Sequence, residues 1–274
     1  MTTTPTSDRG TTAAVKRYVS DLWARREFAW YMAMGNLKAR NASTTLGLFW
    51  WVLNPLLLGA VYFLVFGIVL GLSRDLSYLL SGMFVFYYTS TALTGGANSI
   101  ISNSRLLVNL SFPRLIMPIV AITEAGVGFL ASIPALYLII GPTQGAWPGV
   151  EMLWLFPIVF AIHTVFNLGL AAITARIAVP FRDINNLLPY VNRIWLYLSP
   201  IIIPASFVTD LTAPWDTLFN LNPLVPMIGL YRTALLGYPF EVWMLAASSA
   251  WAVGLATIAI AAFVKYEGRM ARYL

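Results

Sequence analysis

Cysteine is absent, which excludes disulfides and thiolate metal sites and leaves the redox compartment unread. Histidine occurs once, at His163, so no histidine-rich metal site can form. Charge is scarce: Asp, Glu, Lys and Arg together make up 10% of 274 residues. The acids are scattered, and none form the closely spaced carboxylate pair that would hold magnesium. No G-x-x-x-x-G-K-[ST] loop occurs, so the chain does not cradle and hydrolyse ATP by that route. The first forty residues carry no short apolar core with a small-residue cleavage site, and no cleaved signal peptide is read there. Catalysis is a poor reading, and no cofactor or metal is expected in this chain.

What remains is apolar length. The chain is 59% hydrophobic with a mean hydropathy of +0.74. Several uncharged runs approach or exceed the roughly 20 residues that cross a bilayer as a helix. The reading is an all-α membrane protein with six transmembrane helices: Leu46–Leu72, Tyr78–Ile101, Leu115–Gly141, Leu153–Val179, Leu187–Phe207 and Val242–Val264. Between helices 5 and 6, Ser206 to Glu241 is apolar but cut by Pro214, Pro223, Pro226 and Pro239, which suits a re-entrant helical segment. Residues 1–12 read as a disordered tail, 13–40 as an amphipathic interfacial helix, 41–266 as the transmembrane domain and 267–274 as a second tail. No internal repeat is evident, so the inverted-repeat transporter plan finds no support.

Basic residues orient the spans. Of 17 Lys and Arg, only Arg74 and Arg232 fall on the side opposite the termini. The positive-inside rule therefore predicts cytoplasmic termini and a multi-pass protein. Net charge is +6, but the basic residues flank apolar runs, so anionic lipid headgroups, not nucleic acid, are the expected partners.

Two spans are joined by a polar break, SNSRLLVNLSFPR, from Ser102 to Arg114. Leu106, Leu107 and Leu110 recur there at helical spacing among Asn103, Ser104, Arg105 and Asn109, with Val108 between them. Phe112-Pro113-Arg114 ends the helix. A short amphipathic helix at the membrane surface suits contact with a partner outside the membrane. Within the spans, Tyr62, Phe63 and Phe66, then Phe84, Tyr87, Tyr88 and Thr91, are candidates to line a glycan passage, because sugar rings stack on aromatic faces; core packing is the competing role. Glu124 falls inside the third span, where an acid is either functional or paired across the bundle, for instance with Arg193. His163, beside Asn167, reads as an interhelical hydrogen-bonding residue.

Four segments carry a family resemblance: LKARNASTTLGLFWWVLNPLL at 37–57, NSRLLVNLSFPRLIMP at 103–118, PFRDINNLLP at 180–189 and NLNPLVPMIGLYRTALLG at 220–237. In this order they resemble type-2 ABC exporter permeases for bacterial surface polysaccharides: the O-antigen and teichoic-acid permeases and the cell-wall galactan exporter permease. One departure is that Ala39, Asn41 and Ala42 dilute an aromatic-basic cluster that many relatives carry before Leu-Gly.

The resemblance implies a homodimer of permeases in the bacterial cytoplasmic membrane, working with two copies of a separate ATPase subunit that binds ATP and Mg. The cargo would be a polysaccharide linked to polyprenyl pyrophosphate. Asn103–Arg114 would be the coupling helix, and Arg176, Arg182 and Arg193 would meet the pyrophosphate, with headgroup anchoring as their alternative role. Two other readings remain open: an ion-driven lipid-linked oligosaccharide flippase with Glu124 as proton site, and an integral glycosyl- or acyltransferase.

Overall fold

Small and polar side chains, as much as apolar length, set the plan of the bundle. The computed structural model describes residues 8–41, 44–69, 71, 76–109, 113–145, 147–202 and 215–270, and every regular element among them is helical. Two helices open the chain, α1 (Asp8–Ala24) and α2 (Arg26–Asn41). The single interfacial helix expected over 13–40 is thus divided at Arg25, whose N–H turns back to the Leu22 carbonyl at 3.1 Å. Helix begins at Asp8, inside the segment expected to lack structure.

The first expected span is also divided. A 3-10 turn at Gly47–Phe49 leads into α3 (Trp50–Tyr62), which continues as a π-helical stretch over Phe63–Val69. There follow α4 (Leu76–Ser102), the short α5 (Ser104–Asn109), α6 (Ile116–Gln144), α7 (Glu151–Ala178), α8 (Ile184–Tyr197), α9 (Trp215–Asn220), α10 (Leu224–Leu236) and α11 (Val242–Met270).

Among the described residues three helical runs are long and apolar enough to cross a membrane: Ile116–Pro142, Glu151–Ala178 and Val242–Lys265. These are the third, fourth and sixth spans expected from sequence. Helix α4 has 27 residues, or about 40 Å at the helical rise. It has the length of a span but is rich in Ser, Thr and Gly, with Asn98 near its end. Helix α8 has 14 residues, about 21 Å, short of a hydrocarbon core of about 30 Å.

The fifth span, expected at Leu187–Phe207, instead starts at Ile184 and stops at Tyr197. Pro200 cannot continue the helical hydrogen bonding, and Asn222 holds the end. Its Nδ2 donates to Leu198 O at 2.9 Å and its Oδ1 accepts from Trp195 Nε1 at 2.9 Å. The re-entrant expectation over 206–241 meets two short helices, α9 and α10, with residues 203–214 outside the described set.

In lipid, apolar surfaces gain little by leaving one apolar medium for another, so helices associate through close packing and polar bonds. Both are present here. An added Cβ on Gly96 of α4 would lie 2.4 Å from Ala171 Cα of α7, and one on Gly169 would lie 2.7 Å from the Leu255 carbonyl carbon of α11. Thr174 donates across to Leu93 O at 3.3 Å, and Thr89 Oγ1 meets His163 Nε2 at 2.7 Å, the interhelical role expected of that histidine. Because the neighbour at Gly96 is backbone, Gly96→Ala is expected to force α4 and α7 apart. Overpacking of this kind costs about 1–3 kcal/mol. A lowered thermal midpoint of the purified protein checks it; an unchanged midpoint would contradict the contact.

Apolar packing gathers at two ends. One cluster joins Ala29 and Ala33 of α2, Leu107 of α5, Leu115 and Ile116 before and in α6, Val179 after α7, and Phe263 of α11. The other is larger and aromatic, built by α4, α6, α7, α10 and the start of α11. At that end Arg232 of α10 is 4% exposed, with its guanidinium 3.3 Å from the Tyr78 ring centroid.

Candidate functional site

The polar break expected at Asn103–Arg114 is a turn and a short helix. Ile100 O accepts from Asn103 N–H at 3.3 Å, and the Asn103 Nδ2 donates to Ser99 O at 2.8 Å. Helix α5 then starts at Ser104, with Leu107 N–H donating to Asn103 O at 3.1 Å. Its faces differ. Leu107 is 6% exposed and belongs to the cluster with α2, α6, α7 and α11; Leu106 is half-buried beside it, and Arg105 is exposed. The side chains of Val108 and Asn109 and the residues Leu110–Phe112 lie outside the described set. After Pro113, the carbonyls of Pro113 and Arg114 accept from Ile116 and Met117 and start α6. The elbow thus packs through Leu107 against α2 and three long helices, α6, α7 and α11, at once.

The candidate passage residues divide. Phe84 and Tyr88 turn inward, at 2% and 1% exposure. Tyr88 stacks on Phe129 with ring centroids 5.1 Å apart, meets His163 edge-on at 4.8 Å, and shares a hydrogen bond with Thr164 at 3.0 Å. Both serve as interior packing within the protomer. This follows from helical geometry: positions 84 and 88 are one turn apart and share the face that α6 and α7 cover. Tyr87 and Thr91 lie on the adjacent face, half-exposed, with the Tyr87 hydroxyl 3.5 Å from Asn54 Nδ2. Phe63 is partly buried against the aromatic core. Tyr62 ends α3 and Phe66 lies in the π-helical stretch; their side chains are outside the described set.

Arg176 sits in the last turn of α7, partly buried, while Arg182 in the α7–α8 link and Arg193 on α8 are exposed. Glu124 does not pair with Arg193. Its Oε1 accepts from Asn36 Nδ2 of α2 at 2.7 Å, a contact across 88 positions that spacing could not foresee.

Around that contact opens a cavity of about 250 Å³ between α2, α4 and α6. Its polar lining is Asn36, Thr91, Asn98, Ser99, Ser102, Asn103 and Glu124. Thr91 also lines the narrow crevice beside Phe84, Tyr87 and Tyr88. The signal was in the sequence: positions 91, 95, 98 and 102 form a small or polar stripe at helical spacing on α4. Only its partners on α2 and α6 required three dimensions.

No family model matches the chain. It is 31% identical over 218 residues to the O-antigen export system permease protein RfbA of Myxococcus xanthus, covering 79% of this chain and 83% of that protein. Two proteins of the same name from Klebsiella pneumoniae are each 25% identical over 199 residues, 72% of this chain and 75% of theirs.

Proposed function

The chain belongs to the O-antigen export permeases, transmembrane subunits of ABC transporters, and from that premise we propose that it moves a polysaccharide on a polyprenyl-pyrophosphate carrier out across the bacterial cytoplasmic membrane. The polymer is of O-antigen, teichoic-acid or galactan type. Two copies of the chain form the conduit, and two copies of a separate ATPase supply the work. Each protomer crosses six times with both termini inside: α6, α7 and α11 are three spans, while α3 with its π-helical extension, α4 and a fifth span opened by α8 complete the set.

The observation that supports this most directly is the seating of α5. Its Leu107 is packed into the cluster that joins the two N-terminal helices to the neighbouring ends of α6, α7 and α11, while Arg105 stays exposed. An ATPase pressing on the exposed side moves all of these ends together. A partner shifts such an equilibrium only by binding the two arrangements differently, and ATP-driven closure of the ATPase provides that difference. Asn103–Arg114 is the coupling segment in this reading. Arg176, Arg182 and Arg193 meet the pyrophosphate on its way in, with Arg182 and Arg193 exposed for bidentate contacts. The glycan then passes Tyr87 and Thr91 of α4 and the first span, to which Tyr62, Phe63 and Phe66 belong.

Depletion of the chain in cells tests the proposal. Lipid-linked polymer is expected to accumulate on the inner side while surface polymer disappears, and inactivating the partner ATPase should reproduce this. Surface polymer that persists without the ATPase and vanishes when the proton gradient is collapsed would instead favour the ion-driven flippase.

A further inference from the structure

The cavity between α2, α4 and α6 has an unusual balance of hydrogen-bonding groups. Asn98 donates its Nδ2 to Thr94 O at 3.1 Å, Asn103 donates its Nδ2 to Ser99 O at 2.8 Å, and Asn36 donates to Glu124 at 2.7 Å. Ser99 gives its hydroxyl to Gly96 O at 2.7 Å. Each of these amides thus gives one of its two N–H groups to the protein. What the lining offers a guest is the remaining amide N–H groups, amide carbonyl oxygens, the Glu124 carboxylate and the hydroxyls of Thr91 and Ser102.

A lining that both donates and accepts suits a guest that does both, as a sugar hydroxyl does. Among the described residues no Lys or Arg lines the cavity, and a carboxylate does. Phosphate and pyrophosphate, which only accept when ionised and carry the same sign as Glu124, are disfavoured there. A bound divalent cation needs six to eight close oxygens; an open cavity with one carboxylate does not supply that cage. At about 250 Å³, it lies just under the range of about 300–1,000 Å³ typical of pockets for drug-sized ligands, a size that suits a single ring. Met117, Val120 and Ala121 of α6 add an apolar wall against which the C–H face of a ring can rest.

We propose that this cavity binds a neutral sugar residue through its hydroxyl groups, at a place separate from the arginines that meet the pyrophosphate. The proposal deepens the export reading and rests on it: one sugar of the cargo is held beside Asn103, the residue that begins the elbow. Occupancy and elbow position are then linked, because Asn36 ties α2 to the same site.

The absence of native cysteine makes the test clean. Ser102→Cys places one thiol on the cavity wall, and Ser20→Cys, on the exposed side of α1, is the control. The full-length protein, held in lipid nanodiscs free of sugar detergent, is labelled with a maleimide. D-Mannose, D-galactose, N-acetyl-D-glucosamine and inorganic phosphate are the separate probes. At twice its Kd, a sugar that occupies the cavity should slow Ser102→Cys labelling about threefold by mass action and leave Ser20→Cys unchanged. Adding Asn98→Ala or Glu124→Gln should remove the protection while elution stays monodisperse; if neither folds, protection of Ser102→Cys alone decides. Equal labelling with and without every sugar, protection by phosphate as strong as by sugar, or protection that survives both substitutions would overturn the assignment. These failures leave the export reading standing if depletion still abolishes surface polymer. Surface polymer that survives depletion removes that reading itself.

Discussion

Replacing Leu107 by Asp is expected to disconnect the permease from its ATPase while leaving the protein inserted. The side chain is 6% exposed, in a cluster that includes Ala29, Ala33, Leu115 and Phe263. Burying a carboxylate among these apolar side chains costs several kcal/mol, and a helix of six residues gains too little from its own hydrogen bonds to offset it. Helix α5 is expected to leave its seat. Allosteric coupling energies of about 1–3 kcal/mol correspond to factors of about 5–150, so stimulation of a co-expressed ATPase should fall about tenfold or more, with export lost in parallel. Leu107→Ala keeps the seat apolar and should lose less. Full stimulation by the Asp variant, at normal membrane abundance, would refute the assignment of this elbow.

Arg232→Leu is expected to bring the largest loss of stability. The Nη2 group donates to Tyr78 O at 2.9 Å and to Pro200 O at 2.7 Å, joining α10 to the start of α4 and to the turn that ends α8. Hydrogen bonds to a charged group contribute about 1.5–3 kcal/mol each. Leucine removes both bonds, for a loss of about 3–6 kcal/mol, although Tyr78 O keeps the Ser81 hydroxyl at 3.1 Å. Lysine keeps the charge but not the planar fork or its stacking on Tyr78, and should recover only part of the loss. Thermal midpoints of the three proteins in one detergent should rank arginine, lysine, leucine. Equal midpoints would show that the turn at Pro200 holds itself.

The long apolar runs were legible because membrane crossing demands length and hydropathy, both of which a linear sequence displays. Helices α6, α7 and α11 follow their expected spans closely. The elbow was legible for a related reason, since Pro113 and the Leu spacing are local signals. What escaped was set by contacts distant along the chain. Helix α8 stops at Tyr197 partly because Asn222 captures the Leu198 carbonyl. Phe84 and Tyr88 look like passage residues in a list of aromatics, yet α6 and α7 cover them. Glu124 meets Asn36, a partner 88 positions away that only the placing of α2 beside α6 brings near. The division at Arg25 has no proline or glycine to announce it.

The composition of α4 bears on how the protein is made. In the proposed six-span arrangement, synthesis delivers Leu76–Ser102 to the membrane before α6 and α7 exist, and this helix carries Thr89 and Gly96 on the surface that α7 covers. Alone in hydrocarbon, Thr89 lacks the His163 ring and Gly96 the close backbone of the finished bundle. Stable insertion of α4 therefore waits on the arrival of α7, whose Ala171 closes over Gly96. Biogenesis is cooperative by construction, and the helix whose polarity serves the finished transporter is the one that depends most on the rest of the nascent chain.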